Sequence, residues 1–236
     1  MNDYKTILKE GEGYKIIPGF VPSKLINDFK KRLTELYPVR ASSSKKVYAE
    51  REDIKSLEDI SVWWSQGVND WEELKAIRRL LDPVIYSDFS NLEFYFSDVV
   101  TISKGSTWFS PHVDTPHRFA KWNFDQRLLG IQCIISLDDI NKNSASTGLV
   151  PYSQKRDFEI NKCYTGSFDR WFMENVKQHD MPRGSLLMYN CRVLHSSMPN
   201  LTDKDRPALL LNYLDKTVVK DVSEVDNIWT SNGKRP

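Results

Sequence analysis

The chain has 236 residues, of which 40% are hydrophobic, and a formal net charge of +1. That length suits one β-rich domain with a sizeable core, and scattered lysines at near-zero net charge leave no basic stripe for nucleic acid. No apolar run approaches the roughly 20 residues of a membrane span, and the polar opening MNDYKTILKEGEGYK lacks the apolar stretch of a signal peptide. Cys133, Cys163 and Cys191 are widely spaced and odd in number, so they read as free thiols of a reducing compartment, with no disulfide framework or zinc ribbon. A single cytoplasmic domain spanning 1–236 is expected.

In chain order, Ser23 caps a helix running to about Tyr37. Leu25, Ile26, Phe29, Leu33 and Leu36 form its apolar stripe, and Pro38 stops it. The charged, serine-rich stretch from Arg40 to Asp59 has few large apolar residues and reads as a flap, part of a lid insertion over 40–70. Trp71 to Leu81 is predicted as a second amphipathic helix. After Leu92 the pattern is strand-like nearly to Leu214, interrupted by a helix from Ser167 to Val176. There is no internal repeat, GxGxxG or P-loop, so nucleotide-dependent chemistry has no handle.

Four scattered side chains carry the chemistry: His112 and Asp114 in SPHVDTPH, His195 in RVLHSSMPN, and Arg206 eleven positions later. A bare His-x-acid pair arises by chance in roughly half of chains of this composition, so the setting has to decide. Period-two alternation at the end of a strand-like run sends His112 and Asp114 to one face and Val113 to the other. In RPALLLNYL, Arg206, Ala208, Leu210 and Asn212 share a face by the same rule. Ligands as far apart as Asp114 and His195 converge only if the strands wrap a common cavity, as in a jelly roll. Two imidazoles and one carboxylate on one face of a metal are the ligand set of non-haem Fe(II) oxygenases, and a nearby arginine suits a carboxylate-bearing co-substrate. A rival set of His112, Asp114 and His117 would hold zinc, as in a local hydrolase site.

Further candidates surround these four. Gln132 interrupts an otherwise apolar strand, and its buried amide needs a partner, which points to the co-substrate. His117 and Arg118 are loop residues that either touch substrate or face solvent. Trp108, Phe109, Phe119, Trp122 and Phe124 either line a pocket or pack in the core, and Trp63 and Trp64 either close over it or do the same. Lys104 and Arg127 read as solvated surface charges.

Three blocks resemble the phytanoyl-CoA dioxygenase-like family of Fe(II)- and 2-oxoglutarate-dependent oxygenases. They are PHVDTP, then LLGIQCIISLDDINKNSASTGLVPYSQK, then PRGSLLMYNCRVLHSSMPNLTDKDRPALLLNYL, which joins a glycine-opened strand, the second histidine and the arginine-opened strand in the family's order. The resemblance runs from about Gly13 to Leu214 and is thinnest between Arg40 and Asn91. One departure is Gln154, where many relatives carry a histidine that is not a metal ligand.

The resemblance implies a mostly β double-stranded β-helix (jelly roll, cupin-like) with flanking helices. It implies Fe(II) on His112, Asp114 and His195, and 2-oxoglutarate with its distal carboxylate on Arg206 and a hydroxyl contact from Ser197. Dioxygen would be consumed, succinate and carbon dioxide released, and an unactivated C–H bond of a small soluble molecule hydroxylated or desaturated. Asp114 matters here, because halogenating relatives carry a small residue in its place. A non-catalytic 2-oxo-acid-binding protein that keeps the clamp is the other alternative.

Overall fold

A computed structural model describes residues 3–36, 62–65, 68–107, 111–117, 120–122, 124–157 and 166–222. The flap expected from Arg40 to Asp59, together with Trp108, Phe109, Arg118, Phe119 and Cys163, lies outside the described residues. The elements are α1 (Tyr4–Lys9), β1 (Tyr14–Ile17), α2 (Ser23–Leu36), β2 (Val62–Ser65), α3 (Glu72–Asp88), β3 (Leu92–Ile102), β4 (Gly130–Ser136), β5 (Thr147–Leu149), α4 (Gly166–Asn175), β6 (Leu186–Asn190), β7 (His195–Ser197) and β8 (Arg206–Asp215).

The strands form two antiparallel sheets. The larger has the order β1-β6-β4-β8-β3-β2, and the smaller pairs β5 with β7. Chain neighbours such as β6 and β7 fall in different sheets, which is the wrapped arrangement of a jelly roll. Isolated bridges, His112 with His195 and Ser144 with Asn200, add to the smaller sheet's side.

β4, β6 and β8 are buried on both faces almost throughout, and period two divides their side chains between two layers. Ile131, Cys133, Ile135, Leu186, Met188, Leu209, Leu211 and Tyr213 face outward onto the helices, where Leu8, Ile26, Phe29, Leu74, Ile77, Leu81 and Ile85 cover them. The alternate residues Ile134, Leu187, Tyr189 and Ala208 face inward with Tyr14, Leu149, Met181 and Val193. A sheet buried on both faces has no polar side to spare, so the polar residues on its inner face require a functional reading.

The helices differ slightly from expectation. The first hydrogen bond of α2 runs from the Ile26 N–H to the Pro22 carbonyl, so Ser23 is the first helical residue and Pro22 stands at the cap. The second predicted helix extends past Leu81 to Asp88 and through Pro83. An interior proline costs about 3 kcal/mol, but Leu81 and Ile85 on either side of it are fully buried, and their packing holds the helix together. The helix predicted over Ser167–Val176 is found at Gly166–Asn175. No helix among the described residues is long and apolar enough to cross a membrane.

Candidate metal centre

The centre begins with a backbone pairing. The His112 N–H donates to the His195 carbonyl at 2.9 Å and the His195 N–H donates to the His112 carbonyl at 3.0 Å. Two residues that exchange both bonds sit directly opposite each other with side chains on one face, and the imidazole centroids are 4.3 Å apart. Asp114, two residues on, is pinned by its N–H donating to the Cys191 carbonyl at 2.8 Å. Its Oδ1 lies 4.0 Å from His112 Nε2 and its Oδ2 lies 3.5 Å from His195 Nε2. One donor atom from each of the three residues falls within 4.8 Å of the others, and this is the only such group of potential ligands among the described residues.

His195 Nδ1 is 2.9 Å from the Val193 carbonyl, which can only accept, so Nδ1 donates there and Nε2 is the nitrogen that faces the cluster. Among the described residues, no lysine or arginine forms an ion pair with the Asp114 carboxylate. A carboxylate flanked by two imidazoles and no fixed cation is suited to a divalent metal, and the donor set fits Fe(II).

Arg206 opens β8 opposite Ile102 and is 5% exposed. Its Nη2 donates to the Ala145 carbonyl, Nε has no partner, and no carboxylate among the described residues faces it. Burial lowers its pKa to about 10. An unpaired guanidinium inside a fold is costly unless an anion joins it, so Arg206 fits the distal carboxylate of a 2-oxo acid.

The remaining expected residues fall out unevenly. Ser197 lies on β7 two positions from His195, opposite Thr147 and half-buried. Gln132 already has partners within the sheet: the Asn212 amide donates to its Oε1 at 2.9 Å, and its own Nε2 donates to the Leu211 carbonyl at 3.3 Å. The acceptor left over is Asn212 Oδ1, which has no partner. Gln154 is structural, donating to the Gly11 carbonyl at 2.9 Å and so tying down the turn after α1.

His117 corrects the zinc alternative. It is absent from the ligand cluster and fully buried, with Nδ1 3.1 Å from the Trp122 carbonyl. Burial lowers its pKa to about 4, so the imidazole is neutral. Trp122 packs in the core with Leu129 and Leu214, whereas Phe124 is exposed. Lys104 and Arg127 are surface residues, the latter paired with Asp125.

Sequence reading missed Tyr189. Its hydroxyl donates to Asp114 Oδ2 at 2.7 Å and lies 3.2 Å from His195 Nε2. Burial and the Asp114 charge push the phenol well above its ordinary pKa. The available signal was a polar-tipped aromatic on the inward face of β6, beside the aliphatic Leu187.

Comparison with known proteins agrees with this geometry. The profile of the family described as phytanoyl-CoA dioxygenase (PhyH) matches residues 10–208. The chain belongs to this family. It is an Fe(II)- and 2-oxoglutarate-dependent enzyme that uses dioxygen, as its sequence blocks implied. Many solved structures share its fold, two of them of one enzyme. One is the non-heme alpha ketoglutarate dependent epimerase SnoN from nogalamycin biosynthesis, at 13% identity and TM-score 0.64, covering 90% of this chain and 79% of that one. The other is SnoN in complex with Fe3+, alpha ketoglutarate and nogalamycin RO, at 14% identity and TM-score 0.68, covering 91% and 83%. No curated protein gives a significant sequence match.

Proposed function

We propose that this enzyme hydroxylates an unactivated C–H bond of a small soluble molecule, with His112, Asp114 and His195 as the iron ligands and Arg206 as the co-substrate clamp. The observation that carries the reading is the convergence of the three donor atoms within 4.8 Å, in the same jelly roll that buries Arg206 without a carboxylate partner among the described residues. Iron with 2-oxoglutarate and dioxygen supplies an oxidant strong enough to take hydrogen from carbon, and releases succinate and carbon dioxide.

The chain's own contribution is positioning and exclusion of water. The paired backbones of residues 112 and 195 preset the two imidazoles, and the Val193 carbonyl holds His195 in the tautomer that can bind metal. Arg206 offers its unpartnered Nε as a charge-assisted donor, and the Ala145 carbonyl anchors Nη2 so that the fork keeps one orientation. The apolar inner layer of Ile134, Leu187, Leu149 and Val193 lowers the local dielectric and strengthens both contacts. Presence of Asp114 favours hydroxylation over halogenation, since its carboxylate takes the position a halide would need. Buried, unpaired Cys133 and Cys191 suit a reducing cytoplasm.

A second reading is supported by the likeness to SnoN, which is named as an epimerase. Under that reading, the substrate hydrogen is removed and another is delivered to the opposite face by an external two-electron reductant, which also discharges the remaining oxidising equivalent, so that no oxygen is retained in the product. The test is anaerobic addition of 2-oxoglutarate to Fe(II)-loaded protein, followed by a small-molecule screen read by succinate release under ¹⁸O₂. The expected results are a visible Fe(II)–2-oxo-acid charge-transfer band and a product heavier by one ¹⁸O atom. A product of unchanged mass would replace hydroxylation with epimerisation. Failure to form the band in iron-replete, folded protein would reject the site.

A further inference from the structure

We propose that Tyr189 is a positioning residue of the metal centre: its phenol O–H holds Asp114 Oδ2, so that Oδ1 is the single carboxylate oxygen offered to the metal. The proposal rests on the His112, Asp114, His195 reading of the site.

The argument begins with what else could orient Asp114. Among the described residues, no lysine, arginine or backbone N–H donates to its carboxylate, and the hydrogen bond it receives is from Tyr189 at 2.7 Å. A carboxylate without an outer partner rotates freely about its last bond and can present one oxygen or two. A donor fixed on one oxygen removes that choice. Tyr189 is well placed to act as such a donor. It lies on β6 between Tyr14 of β1 and Gln132 of β4 in register, and it is 1% exposed. Its ring sits 4.8 Å from that of His195, so the phenol is held against two of the three ligands at once.

Direct ligation by the phenol is the competing role, since its oxygen is 3.2 Å from His195 Nε2 and within reach of the same cation. The coordination count opposes it. Three protein ligands, two oxygens of the 2-oxo acid and dioxygen fill six positions, and a seventh donor would block the open face.

The experiment is titration of metal-free protein with Mn(II), followed by isothermal calorimetry, together with Co(II) absorption spectra. Wild type is compared with Tyr189→Phe and Tyr213→Phe. Tyr213 is a second buried tyrosine, whose hydroxyl donates to Asp82 at 2.6 Å on the helix-facing side, so it controls for loss of a buried hydroxyl as such. Tyr189→Phe is expected to weaken Mn(II) binding on the order of tenfold and to alter the Co(II) spectrum, while Tyr213→Phe leaves both unchanged. Wild-type affinity and spectrum in Tyr189→Phe would overturn the positioning role alone. Absence of Mn(II) binding in wild type would overturn the metal site and this proposal with it. An intense phenolate-to-Fe(III) band in oxidised wild type, lost in Tyr189→Phe, would overturn it in favour of direct ligation. An independent check needs no variant of Tyr189: a slowly exchanging downfield phenol proton in metal-free wild type, absent in Asp114→Ala, is expected, and failure to observe it would count against the hydrogen bond.

Discussion

Replacing Arg206 with methionine should make the metal-free protein more stable and the co-substrate site worse, a combination that a structural arginine cannot produce. In the folded chain the guanidinium is fully buried, lacks a carboxylate partner, and has its pKa lowered from 12.5 to about 10 by desolvation alone. At about 1.4 kcal/mol per unit, that is a penalty on the order of 3 kcal/mol for keeping the charge inside. Methionine of similar length removes the penalty but also the charge-assisted hydrogen bond to the Ala145 carbonyl, worth about 2 kcal/mol. The net expectation is a gain of about 1 kcal/mol, read in urea as a higher midpoint at unchanged m-value. Truncating one side of a buried, hydrogen-bonded charge pair costs about 2–5 kcal/mol, so 2-oxoglutarate affinity should fall at least about thirtyfold. Anaerobic titration of Mn(II)-loaded protein measures that loss. With 2-oxoglutarate at a hundred times its wild-type dissociation constant, wild type gains about 2.7 kcal/mol and the stability order closes or reverses. A variant that is less stable without ligand yet binds 2-oxoglutarate normally would refute the reasoning and make Arg206 part of the scaffold.

Two further outcomes follow from local physics. His117 has a folded pKa of about 4 against 6.5 for the free side chain, so between those values the unfolded chain binds the extra proton. Its contribution is intact above pH 6.5 and is lost as pH falls towards 4, by about 3 kcal/mol in total. Urea unfolding at intervals from pH 7.5 to 4 should show that acid slope in wild type and a shallower one in His117→Leu, and equal slopes would remove His117 as its source. Gly184 has a φ of +82°, and a Cβ there would stand 2.4 Å from the Val21 carbonyl oxygen, a backbone atom that cannot swing away. Gly184→Ala should therefore destabilise by about 3 kcal/mol or more, combining left-handed strain with the clash, and a loss under 1 kcal/mol in the same assay would contradict the tight approach of this turn to the segment before α2.

The amino-acid sequence by itself determined whatever depends on local periodicity. Alternation placed Asp114 with His112 and Asn212 with Arg206, the stripe of α2 marked its buried face, and a glycine before Ser185 marked the opening of β6, because each of these rests on backbone geometry within a few residues. What met across the fold was decided only by the tertiary structure. The contact of Tyr189 with Asp114 spans 75 positions, and that of Asn212 with Gln132 spans 80. Each depends on strand register, and a slip of one residue would turn either side chain to the opposite face without changing a letter of the sequence. His117 shows the same limit from the other side: its neighbours suggested a ligand, yet it is buried with its Nδ1 at the Trp122 carbonyl and stands outside the cluster of His112, Asp114 and His195. The persistence of α3 through Pro83 was likewise decided by the core, where buried Leu81 and Ile85 outweigh a local preference to break.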